Sequence, residues 1–573
     1  MKTNTYYTIS LFLFFFLCSS GCTQKVPNPV NVPVTGILIT PADDLSIKVG
    51  ATYSLGVTVS PSYASNKAVT WNSDKITIAT VTPSGEVAGV AEGTATITAT
   101  ALDGSGVKGT KVVTVTSSGQ PEVPITGGTV GPRPNNYDDP ANGIYVSPSG
   151  NDATANGSID RPYKTINRAL ANAQAGATIV LRGGKYPQTV STRVRIPNIT
   201  IKSRKGEWAI IEHAYVHSRD NEESGIMFDP EASGGKLQAI EVIGGFYAVT
   251  IETKWGWNGD DDWMAASNMI IEDCILHDSK YDVVKVKPNC NNVIIRYNEI
   301  YNAGRYWVNE GTPANGEDNA EGIDNVQGNK MLVQNNYIHD IRGNGIYAKG
   351  GAVDVIIENN RIERINAAGI QLGFDTSPKW FDLTVNPKYY ENIRGIVRNN
   401  LIIDVGWEGI GLYASKDAKV YNNTIVNAVG YGTGLFHSPI YFGVATQDWD
   451  NPTGCPPNIN PDIHHNIVSQ PSTSKSLMIE IRYATGVYSF GLSGLEGKPT
   501  MNNNCYYIAG KNATFTDNRQ GSVLNNAGFA AWKTHIGGES GSLEVNPSLN
   551  SDYMPTNAQC TGMGITAPLK IAK

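Results

Sequence analysis

Between Met269 and Gly430 one short phrase recurs: MIIEDCILHDS (269–279), VIIRYNEIYNAG (293–304), MLVQNNYIHDI (331–341), VIIENNRIERI (355–365), GIVRNNLIIDV (395–405) and AKVYNNTIVNAV (418–429). Each copy has a short apolar strand, an Asn or Asp, then a second apolar pair. Further short strands lie between copies: GIDNV (322–326), GIYAKGG (345–351), GIQLG (369–373) and GIGLY (409–413). Aligning the polar residue gives a column of Asp273, Asn298, Asn336, Asn360, Asn400 and Asn423, with uninterrupted steps of 25, 24 and 23 residues. A period in the low twenties made of short strands, without helical spacing, predicts a stacked β-solenoid. At a recurring turn each Asn amide can bond the next rung, contributing about 1 kcal/mol per satisfied bond. The fold class expected is all-β: a right-handed parallel β-helix, preceded by a small immunoglobulin-like sandwich.

Outward from that stretch, the 573 residues are enough for more than one domain and a sizeable core. The 60 Gly and 27 Tyr, with abundant Asn, Val, Ile and Thr, suit β structure. A formal net charge of −7, with no basic tail or recognition helix, argues against a nucleic-acid partner. A monomer is expected.

Residues 1–22 read as a targeting segment: Lys2, the apolar run ISLFLFFFLCSSGC (9–22), then polar, Pro-containing sequence. The run is too short to span a membrane. Its small residues before Cys22 resemble a bacterial lipobox, although Ser19 replaces the more usual Leu. That resemblance implies lipidation at Cys22 and a lipid-anchored protein of the bacterial cell envelope, with plain secretion as the alternative. Of the remaining cysteines, Cys274, Cys290, Cys455, Cys505 and Cys560, none has zinc-site spacing. Cys274 is expected as a buried thiol, and the sequence leaves open whether Cys455 and Cys505 pair in an oxidising envelope.

Residues 34–116 alternate apolar and polar positions between Gly and Pro punctuation, which predicts an antiparallel sandwich. The run VTWNSDKITIATVTPSGEVAGVAEGTATITAT (69–100), with Trp71, Gly85, Gly89 and Gly93, resembles the bacterial immunoglobulin-like group 2 domain. Such modules serve as spacers or adhesive elements, so a stalk is expected. Residues 117–142, rich in Pro, Gly, Ser and Asn, read as a linker. From residue 143 to the end the chain reads as the β-helix. YKTINRALANAQ (163–174) is its amphipathic helix, with Ile166, Ala169 and Leu170 on one face. An open solenoid end exposes strand edges and apolar core, so a helical cap is expected there. The opening at residues 144–186 resembles the N-terminal cap of secreted β-helix proteins, polysaccharide lyases among them. Residues 529–564 read as a C-terminal cap, and Asn466 and Asn504 extend the column.

Longer steps of 38, 40 and 43 residues place insertions in the solenoid. They are expected after the Asn strand and before the next Gly-Ile strand, forming a wall along one groove. KWGWNGDDDWMAAS (254–267) is expected on the other margin, where Asp260, Asp261 and Asp262 offer a weak calcium signal. Registering the groove strands on inward Val284, Ile323, Ile346, Ile370 and Ile410 turns Lys285, Asp324, Tyr347, Gln371 and Gly411 outward. Rungs are about 4.8 Å apart, so Lys285, Asp324 and Tyr347 stack, with Lys287 and Lys349 about 10 Å apart beside them. Asp282, Glu317, Asp318, Glu321 and Asp324 crowd the same place. Carboxylates on adjacent rungs repel unless a lysine or a hard cation such as calcium lies among them.

Lysine beside a cation on such a groove suits β-elimination from a uronate. The cation neutralises the carboxylate and stabilises the developing charge, and a lysine of lowered pKa removes the proton. YDVVKVKP (281–288), AEGIDN (320–325) and NGIYAKGG (344–351) resemble three groove strands of family 9 polysaccharide lyases. The resemblance implies calcium ligands Asp282, Glu321 and Asp324 and a lysine base, with Lys349 first and Lys287 and Lys285 behind it. Ala320 departs from that pattern where another Asp is expected, and Tyr347 stands where the lysine is expected. Tyr347, Gln371, Tyr413 and Trp407, with Trp380, are expected to contact sugar. Two other readings stand beside an acidic-polysaccharide lyase. One is a glycoside hydrolase pairing Asp324 with Asp318 or Asp282. The other is a non-catalytic glycan-binding envelope lipoprotein.

Overall fold

The computed structural model describes residues 31–572 except 42–44, 49–51, 77, 91–92, 117–127, 215–222, 255–262, 305–319, 431–436, 446–454, 476 and 485–490. The chain divides into two units, Met1–Val123 and Pro124–Lys573. The expected lipidation site Cys22, the Asp260–Asp262 triplet, Glu317 and Asp318 lie outside the described residues.

In the first unit, Val69–Ser73, Gly93–Ala101 and Lys108–Thr116 form an antiparallel run, and Leu45–Lys48 joins its edge in parallel. Thr52–Ser54, Glu86–Gly89 and Ala79–Val81 form a second sheet. The alternating strand TATITATA buries Ala95, Ile97 and Ala99 against Val87 and Val113. Gly85 has a positive φ of 87°, and a Cβ there would come 3.0 Å from the Trp71 ring. That position therefore requires glycine.

The second unit is a parallel β-helix of three twelve-stranded sheets. Each circuit contributes one short strand to each sheet. One sheet, here the groove sheet, contains Val249–Ile251, Val284–Val286, Ile323–Val326, Ile346–Lys349, Ile370–Leu372, Ile410–Tyr413, Ile440–Gly443 and Leu477–Ile481 in that order. Val249, Val284, Ile323, Ile346, Ile370, Ile410, Ile440 and Ile479 are paired in one register and wholly buried. β-branched side chains on the same position of successive strands pack directly on one another, which is why this position tolerates little else.

The Asn column forms a continuous hydrogen-bonded ladder. Asn298, Asn336, Asn360, Asn400 and Asn423 each donate through Nδ2 to the Oδ1 of the next Asn at 3.0 Å, ending on Asn466 and Asn504. The residue before each Asn (Tyr297, Asn335, Asn359, Asn399, Asn422) has a φ of 54–56°, so a left-handed residue turns the chain and the following Asn points inward. This corrects the alignment at the first rung. Asp273 has the left-handed φ, 56°, and Cys274 holds the ladder position, donating its N–H to Asn298 Oδ1 at 2.9 Å. Asp273 is instead bound by Arg133, Nη2 to Oδ2 at 2.7 Å, and by the Tyr137 hydroxyl. Within the stretch read as a linker, Thr129–Val130 pairs in parallel with Lys570–Ile571, so that part lies on the solenoid.

The amphipathic helix spans Ile166–Leu170, capped by Thr165 and burying Ile166, Ala169 and Leu170. A second helix, Phe529–Ile536, which the sequence reading left inside an undivided cap, covers the other end with Trp532 wholly buried. The five described cysteines are buried. Cys505 Sγ lies 3.2 Å from Cys560 Sγ, whereas Cys455 Sγ faces Glu391, so the neighbour of Cys505, which the sequence left open, is Cys560 and not Cys455.

One insertion also differs. Residues 374–391 leave the far end of the strand Ile370–Leu372, after the groove strand and not before it. They join a small accessory sheet through Asn392–Ile393, between Ala352–Val353 and Ser415–Lys416. Insertions therefore flank the groove strands on both sides.

Candidate active site

The outward column of the groove sheet is Thr250, Lys285, Asp324, Tyr347, Gln371, Gly411, Tyr441 and Glu480, in direct register. Asp282 and Glu321 occupy the corner position two residues before the inward Val284 and Ile323. Asp282, Glu321 and Asp324 converge, with one oxygen of each lying within 4.8 Å of the others, and all three are buried. Asp282 Oδ1 accepts the Glu321 N–H at 3.0 Å, and Asn344 Nδ2 donates to Glu321 Oε1 at 3.3 Å. Glu321 Oε2 and Asp324 Oδ1 have no hydrogen-bond donor, and Asp282 Oδ2 is met by the Lys285 ammonium.

Lys285 enters this cluster. Its ammonium donates to Asp324 and lies 3.1 Å from Asp282 Oδ2. Burial opposes its charge, but Asp282 and Asp324 outweigh burial and push its pKa well above the ordinary lysine value. Lys285 therefore departs from the lowered pKa expected of a base and acts as a counter-ion. Burial also opposes ionisation of Asp282, yet Lys285 holds its pKa below the usual carboxylate value. Glu321 goes the other way: burial, then the Asp282 charge, push its pKa well above the ordinary one. One lysine cannot neutralise three buried carboxylates, and a hard cation with oxygen preference fits their converging oxygens, two of which lack a donor.

Lys349 pairs in register with Val326, on the same strand as Tyr347. Its Nζ lies 4.1 Å from the Tyr347 ring centroid, 3.4 Å from the Asp375 carbonyl, and near enough to Glu321 to act on its charge. Lys287 lies with its Nζ 5.7 Å from the Tyr247 ring centroid. Sequence reasoning missed Glu391, wholly buried beside Lys349. Burial raises its pKa to about 7, although it accepts from the Gly350 N–H and the Thr376 hydroxyl, both at 2.8 Å. Nothing in its local sequence, YENIRG, marks it, because its neighbours Lys349, Gly350 and Thr376 come from a groove strand of the preceding circuit and from the insertion.

Of the side chains expected to touch sugar, Tyr347, Gln371 and Tyr413 are buried, and Trp407 is 39% exposed. Gln371 Nε2 and the Tyr413 hydroxyl both donate to Glu408 Oε1, at 2.8 and 2.6 Å. Their polar groups therefore position a carboxylate instead of lining open surface. Trp380 closes the short helix Pro378–Trp380, with Lys379 Nζ 4.5 Å from its ring centroid.

The chain is a right-handed parallel β-helix protein carrying a bacterial immunoglobulin-like domain, similar to pectate lyases. The family described as bacterial Ig-like domain (group 2) matches residues 33–115, the right-handed β-helix region matches residues 309–441, and a family of unknown function matches residues 148–201. Pectate lyase PEL9 of Emericella nidulans is 34% identical over 119 residues, which is 18% of this chain and 29% of that protein. A 3-O-alpha-D-galactosyl-alpha-L-arabinofuranosidase of Bifidobacterium longum is 41% identical over 85 residues, 15% of this chain and 8% of that protein. The match thus spans less than a third of either curated relative. The crystal structure of pectate lyase Pel9A is similar over 74% of this chain and 88% of that one, at 13% identity and a TM-score of 0.41.

Proposed function

We propose that the protein is a polysaccharide lyase that cleaves a uronate-containing polysaccharide by β-elimination. The observation that carries this reading is the buried, converging set Asp282, Glu321 and Asp324, with donorless oxygens on Glu321 and Asp324, beside Lys349 on the groove sheet. Asp282, Glu321 and Asp324 would hold calcium, which when bound supplies positive charge against the uronate carboxylate and its developing enolate. Lys285 supplies a fixed positive charge to Asp282 and Asp324. Lys349 takes the proton α to the carboxylate, and the Tyr347 ring against its Nζ orients it. Similarity to pectate lyase PEL9 supports the same reaction class.

The hydrolase pairing of Asp282 with Asp324 is less well supported. Their oxygens lie within 4.8 Å and share Lys285, whereas glycosidase carboxylates stand about 5 to 9.5 Å apart with one protonated. In this reading the protein acts as a monomer held by a lipid at Cys22 on the cell envelope, and the immunoglobulin-like unit is its spacer.

The test is ultraviolet absorbance of unsaturated product, with pectic, alginate and glycosaminoglycan polymers, with and without a chelator. A calcium-dependent rise on one uronate polymer is expected. New reducing ends without unsaturated product would replace the lyase with a hydrolase, and silence in both assays would leave a binding protein.

A further inference from the structure

Trp407 and His437 occupy the same place on consecutive rungs, three residues before the inward Ile410 and Ile440. Equivalent places one rung apart stack their rings, and these lie 5.1 Å apart at 9°. The same place on the three preceding rungs holds Ala320, Gly343 and Ala367, so no large side chain at this position separates Trp407 from the carboxylate cluster. Trp407 is 39% exposed, and the His437 side chain 21%.

The floor beside this platform is acidic. Glu408 turns back over Gly411, where a Cβ would meet Glu408 Oε1 at 2.7 Å, so its carboxylate lies on the groove face of the strand. Its Oε2 lies 2.7 Å from His437 Nδ1. Glu480 is two rungs beyond Gly411 in the outward column. Its Oε1 accepts from Asn518 Nδ2 at 2.9 Å, and Arg482 Nη1 lies 3.8 Å away. Its Oε2 is buried without a donor, and the Glu480 side chain is 3% exposed.

An exposed aromatic face beside carboxylate acceptors suits a neutral sugar ring. Its C–H face covers the indole, and its hydroxyls supply the donor that the buried oxygen lacks. A uronate placed here would set its own carboxylate against Glu408 and Glu480 in a poorly solvated site. The carboxylate cluster around Asp324 is three rungs, about 14 Å, from Gly411 along the same groove. We propose that Trp407, His437, Glu408 and Glu480 form a second sugar subsite that takes a neutral sugar. The substrate is then a heteropolymer carrying neutral residues several units from the uronate that is cleaved. The identity of the cleaved residue rests on the lyase reading above, but the subsite does not.

The test is calorimetric titration of the full chain in EDTA, which silences any cation site. The probes are neutral oligosaccharides from galactan, arabinan, xylan and mannan, with oligogalacturonides as the acidic comparison. At least one neutral oligosaccharide should bind without calcium. Trp407→Ala should weaken that binding about tenfold, Trp407→Phe should restore most of it, and Lys349→Ala should leave it unchanged. Glu480→Gln should narrow the preference for neutral over acidic oligomers. Failure of every neutral probe, indifference to Trp407→Ala, or a Trp407 requirement for oligogalacturonides alone would overturn the subsite. Neutral binding that persists in a protein yielding no unsaturated product from any polymer would sink the lyase reading and leave the subsite standing.

Discussion

The Lys285 ammonium lies 3.1 Å from Asp282 Oδ2, inside a buried cluster that already holds Glu321 and Asp324. The lysine lies where charge compensation is most needed, yet it reaches only two of the three carboxylates closely.

Calcium should therefore stabilise the protein. At a hundredfold excess over its dissociation constant the expected gain is about 2.7 kcal/mol, read as a rise in Tm. Asp324→Ala should abolish most of that rise. Lys285→Met should lower Tm without calcium, by removing the internal counter-ion, and enlarge the gain when calcium is added. Equal calcium responses in wild type and Asp324→Ala would place the cation elsewhere.

Proton removal by Lys349 predicts a loss of kcat of about 10² to 10⁴ in Lys349→Ala. Lys349→Arg should not rescue it, because a guanidinium does not give up its proton. Lys287→Ala should keep most activity. A Lys349→Ala variant with wild-type kcat would move the base to another residue.

Asn400 receives both the backbone N–H and Nδ2 of Asn360 at 3.0 Å and passes its own Nδ2 to Asn423. Asn400→Ala should cost about 3 kcal/mol in denaturant unfolding, because it orphans the buried Asn360 N–H and breaks the ladder bonds on both sides. Asn400→Asp should cost no less, since it buries a charge facing Asn423 Oδ1. A cost under about 0.5 kcal/mol would mean the ladder contributes little to stability.

His277 lies away from the groove, in the strand Ile275–His277, stacked at 4.5 Å on Tyr301. Burial opposes its charge, but Asp278 and Glu241 outweigh burial and push its pKa up to about 9. A raised folded-state pKa gives stability that is complete below about 6.5, the unfolded value, and lost as pH rises through 9. The Tm difference between wild type and His277→Gln should therefore shrink between pH 6.5 and pH 9. A difference constant across that window would refute the pairing. The comparison between variants also removes the parallel trend from Glu391, whose pKa, raised to about 7, likewise costs stability as pH rises.

The sequence by itself determined the solenoid, its inward isoleucines and the stacking of Lys285, Asp324 and Tyr347. These follow from a period: a strand that repeats every circuit forces the same position onto the same place of the next rung. It also brought together Asp282, Glu321 and Asp324, because all three lie within a few residues of two successive groove strands. The one-residue error at Asp273 arose because the ladder position of that rung holds Cys274, which left the Asp at the left-handed turn as the polar residue to align with the Asn column.

What the tertiary structure alone decided is where side chains go after leaving the strand. Glu408 folds over Gly411 and Tyr413 packs against Gly443, so residues read as open sugar contacts became the supports of a buried carboxylate. Glu391 reaches Lys349 only because residues 374–391 return along the far margin of the groove. Lys285 turns into the cluster and Lys349 lies beside it, although both face outward on their strands. Their different surroundings, and hence their different chemistry, depend on contacts between circuits of unequal length, which no local pattern encodes.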